Sequence, residues 1–281
     1  MVSKTEESRL ARNFHKTFKP ERLYINAMLR SAAAGKSGNA QEIAAETGIP
    51  TGTSSGKVMP TLEYCIGMGL VKSSQKRSAT RSPELTTFGR MVFLEDPYLK
   101  CPITQWLAHM NLCGPVTGAD VWYQTFFAGF NALGLEFKRE KLETHLSVIY
   151  ATKPGGLIGP MIGTYEDDAA LKICGAISEK NGVLTRREAP LKEDMIRGYG
   201  AWLLHSMSVH FPGQSQVSVA ELDETIGFKT IPAWSDSSFA SLLVLLERKA
   251  LIEVDRHMDP WLVRPKQSVE EAWKNIYYDM I

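Results

Sequence analysis

Ala40-Gln-Glu-Ile-Ala-Ala-Glu-Thr-Gly-Ile49 is the stretch from which the fold is read, because Val219-Ala-Glu-Leu-Asp-Glu-Thr-Ile-Gly-Phe228 repeats its pattern. Glu42 pairs with Glu221, Ile43 with Leu222, Gly48 with Gly227 and Ile49 with Phe228. Each copy predicts a short amphipathic helix stopped by a glycine, the residue that takes left-handed backbone without strain. An apolar residue and then a proline (Pro50, Pro232) follow. The polar starts Thr53-Ser54-Ser55 and Ser235-Asp236-Ser237 can accept the free N–H groups of a next helix. That helix carries Leu62, Cys65, Ile66 and Leu70 in one copy and Leu243, Leu246, Glu247 and Leu251 in the other. It leaves through Gly69-Leu70-Val71-Lys72 and Ala250-Leu251-Ile252-Glu253 into the first strand of a hairpin. Preceding helices are expected over 21–34 and 192–210. Pro60 must lie near its helix start, where a missing N–H is harmless.

Helix, glycine turn, capped helix and hairpin make the profile of a winged helix-turn-helix. The predicted fold class is therefore mainly α with small β-hairpin wings, as tandem winged helix-turn-helix modules flanking a helical middle lobe. Three domains are expected: 1–91, a basic tail and DNA-binding module; 92–165, an aromatic-rich helical lobe and connector; and 166–281, a helical region with the second module. In the middle lobe Trp122, Tyr123, Phe126, Phe127 and Phe130 fall on one helical face. No basic residue separates them, so that face is predicted to be core rather than a stacking platform. The Gly/Pro-rich run 152–165 reads as a connector, and Glu166-Asp167-Asp168 as the acidic first turn of the next helix.

The 281 residues are 44% hydrophobic and 22% charged, which excludes disordered and collagen-like classes. No apolar run is long enough for a membrane helix, and residues 1–19 lack the apolar core of a secretory signal. Cys65, Cys101, Cys113 and Cys174 are scattered and read as reduced thiols of a cytoplasmic protein. His205 and His210 stand five apart, off a common helical face, which argues against a shared metal. Gly35-Lys36-Ser37 and Gly52–Lys57 both fail the spacing of a phosphate loop.

The formal charge of +1 hides an asymmetry. Residues 1–90 hold 14 Lys/Arg against 7 Asp/Glu, net +7, whereas the remaining 191 hold 18 against 24, net −6. A basic third points to a polyanion, and double-stranded DNA is the expected partner. Lys72, Lys76, Arg77 and Arg81 crowd the first predicted wing; Lys57, Ser54 and Ser55 stand at the start of its second helix. The second copy exits through Glu253, Asp255 and Asp259, which phosphate repels, so a protein-contact or structural role is expected there. No Arg or Asn is placed to read bases, which favours backbone binding.

Further ordered motifs carry a resemblance. Gly56-Lys57-Val-Met59-Pro-Thr-Leu62-Glu-Tyr64-Cys-Ile66-Gly-Met-Gly69-Leu70 is followed by Leu85-Thr86-Thr-Phe88-Gly89, Asp96-Pro97-Tyr98-Leu99, Trp106-Leu107-Ala-His109 and Trp122-Tyr123-Gln-Thr-Phe126-Phe127. Over roughly residues 14–150 the chain resembles a bacterial family of unknown function whose members accompany cysteine desulfurases in DNA phosphorothioation clusters. In the Ssp-type antiphage system the family member is described as a DNA-nicking endonuclease, beside a desulfurase, an ATPase and an ATP-pyrophosphatase-like protein. The resemblance implies a strand-nicking, DNA-binding component of such a system, with those partners; phosphodiester cleavage in general calls for a divalent metal such as Mg²⁺ or Mn²⁺, for which no motif is evident. The alternative is a non-catalytic DNA-binding adaptor or regulator; a ligand-responsive transcription factor is a weaker third.

Two departures bear on this. Phe14-His15-Lys16-Thr17-Phe18 has Lys16 where the family tends to have Glu, and Lys100-Cys101 follow Asp96-Pro-Tyr-Leu where relatives often continue acidic. The catalytic candidates are His15, Asp96 and His109, taken from within the resembling motifs. Each has a plain counter-reading, a buried hydrogen-bonded histidine or an Asp closing a turn. Glu136-x-Lys138 and Glu247-x-Lys249 match half of a nuclease signature, at a frequency chance supplies.

Overall fold

A computed structural model describes residues 9–52, 56–73, 79–257 and 259–280. Its first third runs α1 (Arg22–Ala33), α2 (Ala40–Thr47), α3 (Val58–Gly67) and the antiparallel pair β1 (Val71–Ser73) and β2 (Pro83–Leu85). The middle comprises α4 (Thr87–Glu95), α5 (Pro102–Leu112), α6 (Asp120–Phe126), α7 (Phe130–Leu133), β3 (Glu136–Lys138), α8 (Arg139–Tyr150), α9 (Ile158–Glu166), β4 (Ile177–Lys180) and β5 (Val183–Arg186). The last third is α10 (Ile196–His210), β6 (Val217–Ser218), α11 (Val219–Ile226), α12 (Asp236–Arg248), β7 (Ile252–Asp255), β8 (Leu262–Pro265) and α13 (Val269–Lys274). The molecule is mainly helical with small antiparallel sheets, as expected.

The repeat is visible in atomic detail. Asn39 and Ser218 each accept an N–H of the helix they precede, while Glu42 and Glu221 reach back to the cap residue's own N–H. Gly48 (φ 71°) and Gly227 (φ 67°) then stop α2 and α11 in left-handed conformation. Both copies order helix, helix, helix and hairpin, and β6 extends the second hairpin to three strands, β6-β8-β7. Their second helices begin differently. Ser235 caps α12 by accepting from Ser238 N–H at 3.1 Å. Ahead of α3 stands Lys57, which makes no side-chain cap. Thr53, Ser54 and Ser55 lie outside the described residues. Pro60 falls in the first turn of α3, where it is tolerated.

Three local expectations are corrected. The aromatic stripe is no single helix, because α6 ends at Phe126 and α7 restarts at Phe130; Trp122 and Phe126 are nonetheless buried core. The run 152–165 is no loose connector but a turn leading into α9, whose Ile158, Met161, Ile162 and Tyr165 are buried. Glu166 ends that helix rather than opening the next. A sheet absent from the sequence reading, β3-β5-β4, turns at Asn181 (φ 53°) and Gly182 (φ 73°). The domain boundary read at 91/92 falls inside α4, and that at 165/166 in the last turn of α9.

One core runs through all three regions. Phe88 of α4 stacks on Trp273 of α13 with ring centroids 4.9 Å apart, and Thr104 of α5 hydrogen-bonds Tyr277 at 2.7 Å. At Gly89 a Cβ would stand 1.7 Å from the Leu70 carbonyl oxygen, so only glycine lets α4 meet the end of α3. No helix among the described residues is long and apolar enough to cross a membrane.

Candidate nucleic-acid interface

The cations expected on the first module are mostly engaged within the fold. Lys57 Nζ lies 2.5 Å from Glu21 Oε1 and within 5.0 Å of the Tyr24 ring, tying α3 to the start of α1. Arg81 is 9% exposed. It exchanges backbone hydrogen bonds with Gly38 and sits 3.6 Å from Glu63. Lys72 differs: it projects from β1 beside Glu84 at 3.3 Å, with both side chains about two-thirds in solvent. Such a pair is worth under about 1 kcal/mol, so phosphate can displace the carboxylate. Lys76, Arg77, Ser54 and Ser55 lie outside the described residues.

Helix α3 is largely enclosed, and its three half-buried residues, Met59, Glu63 and Ile66, share one narrow face. Seven of its ten residues are buried, and Glu63 on the remaining side faces Arg81. In the second module the acidic exit is neutralised locally. Arg264 and Lys266 pair with Glu253, Arg264 with Asp255, and Arg256 with Glu247. Both halves of the second chance nuclease match are accounted for in the same way, since Lys249 bridges Glu193 and Asp279 while Glu247 holds Arg256.

An exposed basic cluster forms elsewhere, from segments far apart in sequence. The turn over residues 11–17, with left-handed Lys16 (φ 44°) and Thr17 (φ 70°), lies against the end of α8 and the start of α9. Arg12 stands 5.0 Å over the Tyr150 ring, and Thr17 approaches Gly156. Arg12, Lys16 and Lys153 are exposed there, and none makes an ion pair with a described residue. Arg9 and Lys19 at the edges are held by Asp120 and Asp167. Arg12 and Lys16 were legible as part of a basic tail. Lys153 had no signal, because its neighbourhood exists only after folding.

The three catalytic candidates occupy separate interior positions. His15, 1% exposed, accepts the Thr17 N–H at Nδ1 (3.0 Å), while its Nε2 is buried with no partner. Burial pushes its pKa down to about 4. His109 is fully buried and takes the Tyr165 hydroxyl at 2.6 Å. Burial, with the Arg186 guanidinium nearby, lowers its pKa to about 3. Asp96, 5% exposed, accepts the N–H groups of Lys100 (2.7 Å) and Cys101 (2.9 Å), closing the loop between α4 and α5. All three are buried and held by the fold. Among the described residues, no three His, Cys, Asp or Glu side chains gather to hold a metal ion.

The resembling motifs converge on this interior. Phe14, His15, Tyr64 and Trp122 form one aromatic cluster, and Trp106, His109, Phe126 and Tyr165 form the next. Comparison with known proteins agrees with them. Residues 56–158 match the family described as "Protein of unknown function (DUF4007)". The fold is similar to a magnesium ion-bound SspB crystal structure, with TM-score 0.72 and 14% identity over 99% of this chain and 90% of that one. It is likewise similar to a second SspB crystal structure, with TM-score 0.67 and 14% identity over 98% and 89%. No curated protein sequence matches the chain.

Proposed function

We propose, proceeding from the match of residues 56–158 to the DUF4007 family, that this chain is a DNA-binding component of a phosphorothioate modification and antiphage system. The sequence resemblance supplies the system and the similarity to SspB over nearly the whole chain supplies the fold. The observation that carries DNA binding is the unpaired cluster of Arg12, Lys16 and Lys153, with the loosely held Lys72. We read the two helix–helix–helix–hairpin units as winged helix-turn-helix modules. With α3 buried, the first grips the phosphate backbone rather than base edges, and the chain is independent of DNA sequence. Its reaction, by resemblance, is strand nicking. Its partners are then the desulfurase, the ATPase and the ATP-pyrophosphatase-like protein.

The magnesium of the similar structure belongs to that protein. Among the described residues here no three His, Cys, Asp or Glu side chains gather to hold such an ion. The burial of His15, Asp96 and His109 favours a second reading, an adaptor that tethers partner proteins to DNA.

Supercoiled plasmid incubated with the protein, with Mg²⁺, with Mn²⁺ and with chelator, separates the two. Open-circle product supports the nickase, and bound but uncut plasmid under every condition supports the adaptor. Four phosphate contacts at about 0.9 each give a log–log salt slope for duplex binding of roughly −3 to −4. Replacing Arg12, Lys16 and Lys153 together with Ala should bring it to about −1. An unchanged slope would remove the cluster from the interface.

A further inference from the structure

A groove of about 350 Å³ opens between the two modules, where β1 and the start of α4 face α10 and the loop after α5. Among its polar groups Thr86, Asn111 and Trp202 are engaged within the fold, whereas two serine hydroxyls make no bond with a described residue. Ser206, 7% exposed, lines the groove, and its hydroxyl makes no hydrogen bond with a described residue. Ser73 Oγ, also in the lining, is buried with no partner. For Ser73 the unpaired buried hydroxyl costs about 1–3 kcal/mol, which a bound acceptor would recover. Lys72, whose partner Glu84 at 3.3 Å is outside the lining, and His205 both line the groove, and no carboxylate does. This is a donor-rich, cation-bearing site suited to an anion.

The rest of the lining selects what carries the anion. Ile66, Val71, Val116, Val209 and Ile226 make much of it apolar. The amide of Asn111 is already used, donating to the Met68 carbonyl and accepting from Trp202 Nε1, each at 2.9 Å. A sugar phosphate, whose many hydroxyls need acceptors, would find few. A flat base against apolar walls with its phosphate toward Lys72, Ser73 and Ser206 fits both the volume and the donors.

We propose that this groove binds one nucleotide with a terminal phosphate, either free or as the end of a DNA strand. Only the second source rests on the DNA reading above. The test is calorimetric titration of the full chain with dTMP and with thymidine. The expected result is dTMP binding, with thymidine weaker by about tenfold or more for want of the phosphate. Lys72→Ala, at an exposed site, should weaken dTMP several-fold and leave thymidine unchanged. Val116→Trp, at the rim, should weaken both. A nicked duplex carrying a 5′-phosphate that competes with dTMP identifies the strand end as the source, and failure to compete identifies the free nucleotide. No dTMP binding at millimolar concentration, or binding that both variants leave unchanged, overturns the proposal. Duplex affinity of the same preparation separates the two claims. If it persists without dTMP binding, only the groove assignment falls, whereas dTMP binding without duplex affinity leaves the groove intact and removes the DNA reading.

Discussion

His109 and His15 stay neutral because burial strips the solvation that a charged imidazole needs. In an unfolded chain both titrate near the ordinary value of about 6.5. In the folded protein they take a proton only near about 3 and about 4. Below pH 6.5 the unfolded chain therefore binds protons that the folded chain refuses. Stability is complete above that pH and falls toward pH 4, by about 1.4 kcal/mol per pH unit for each histidine. Urea midpoints should drop between pH 7.5 and pH 5, and His109→Phe should remove about half of the dependence. A midpoint flat across that window would mean that neither imidazole is buried as described. Arg81 and Arg12 show the same logic for cations. The first is enclosed beside Glu63, the second open over Tyr150. Arg81→Ala should lower stability by about 1–3 kcal/mol, while Arg12→Ala should leave the melting temperature unchanged and alter only the salt dependence of duplex binding.

At the scale of elements, the two capped helices provide a controlled comparison. Asn39→Ala and Ser218→Ala each remove a cap and should cost about 1 kcal/mol in a denaturation experiment. Gly48→Ala meets open space and should cost about 1–2 kcal/mol, that of forcing left-handed backbone on alanine. Gly227→Ala meets the same backbone demand and also stands 2.8 Å from Ile231 and 2.9 Å from Phe127, so it should cost clearly more. Equal losses would mean that the second turn yields. These helices were legible because cap, apolar spacing and glycine stop are all local. The β4–β5 hairpin went unread although Asn181-Gly182 is a strong short-range turn signal, because the charged Glu179-Lys180 beside it obscures the strand pattern. Residues 152–165 were not legible. Glycine and proline normally mark loops, yet here Pro160 sits in the first turn of α9, where a missing N–H is harmless, and Ile158, Met161, Ile162 and Tyr165 bury the helix.

For the whole molecule, what sequence could not convey is how segments meet. The resembling motifs were recognisable because they are core, and a core is constrained in residue type along its length. The basic cluster was not, because Lys153 joins Arg12 and Lys16 only through the packing of the 11–17 turn on α8 and α9. Arg186 illustrates such a junction. Its guanidinium, 5% exposed, donates to the carbonyls of Phe126 and Thr230, each at 3.0 Å, so one side chain ties β5 to α6 and to the turn after α11. Arg186→Leu keeps the bulk and strands those acceptors, and should cost about 2–5 kcal/mol by urea denaturation. A loss under 1 kcal/mol would mean that water replaces the arginine.

The stacking of Phe88 on Trp273, with the Thr104–Tyr277 bond beside it, makes the end of the chain a roof for its beginning. A frameshift or stop codon just after Lys266 would spare every residue of the first hairpin and the whole basic cluster. It would nevertheless strip the cover from Phe88 and expose the helix that Gly89 seats. Such a truncated product should aggregate or be degraded rather than survive as a DNA-binding fragment, so a stop codon at that position would behave genetically as a null allele.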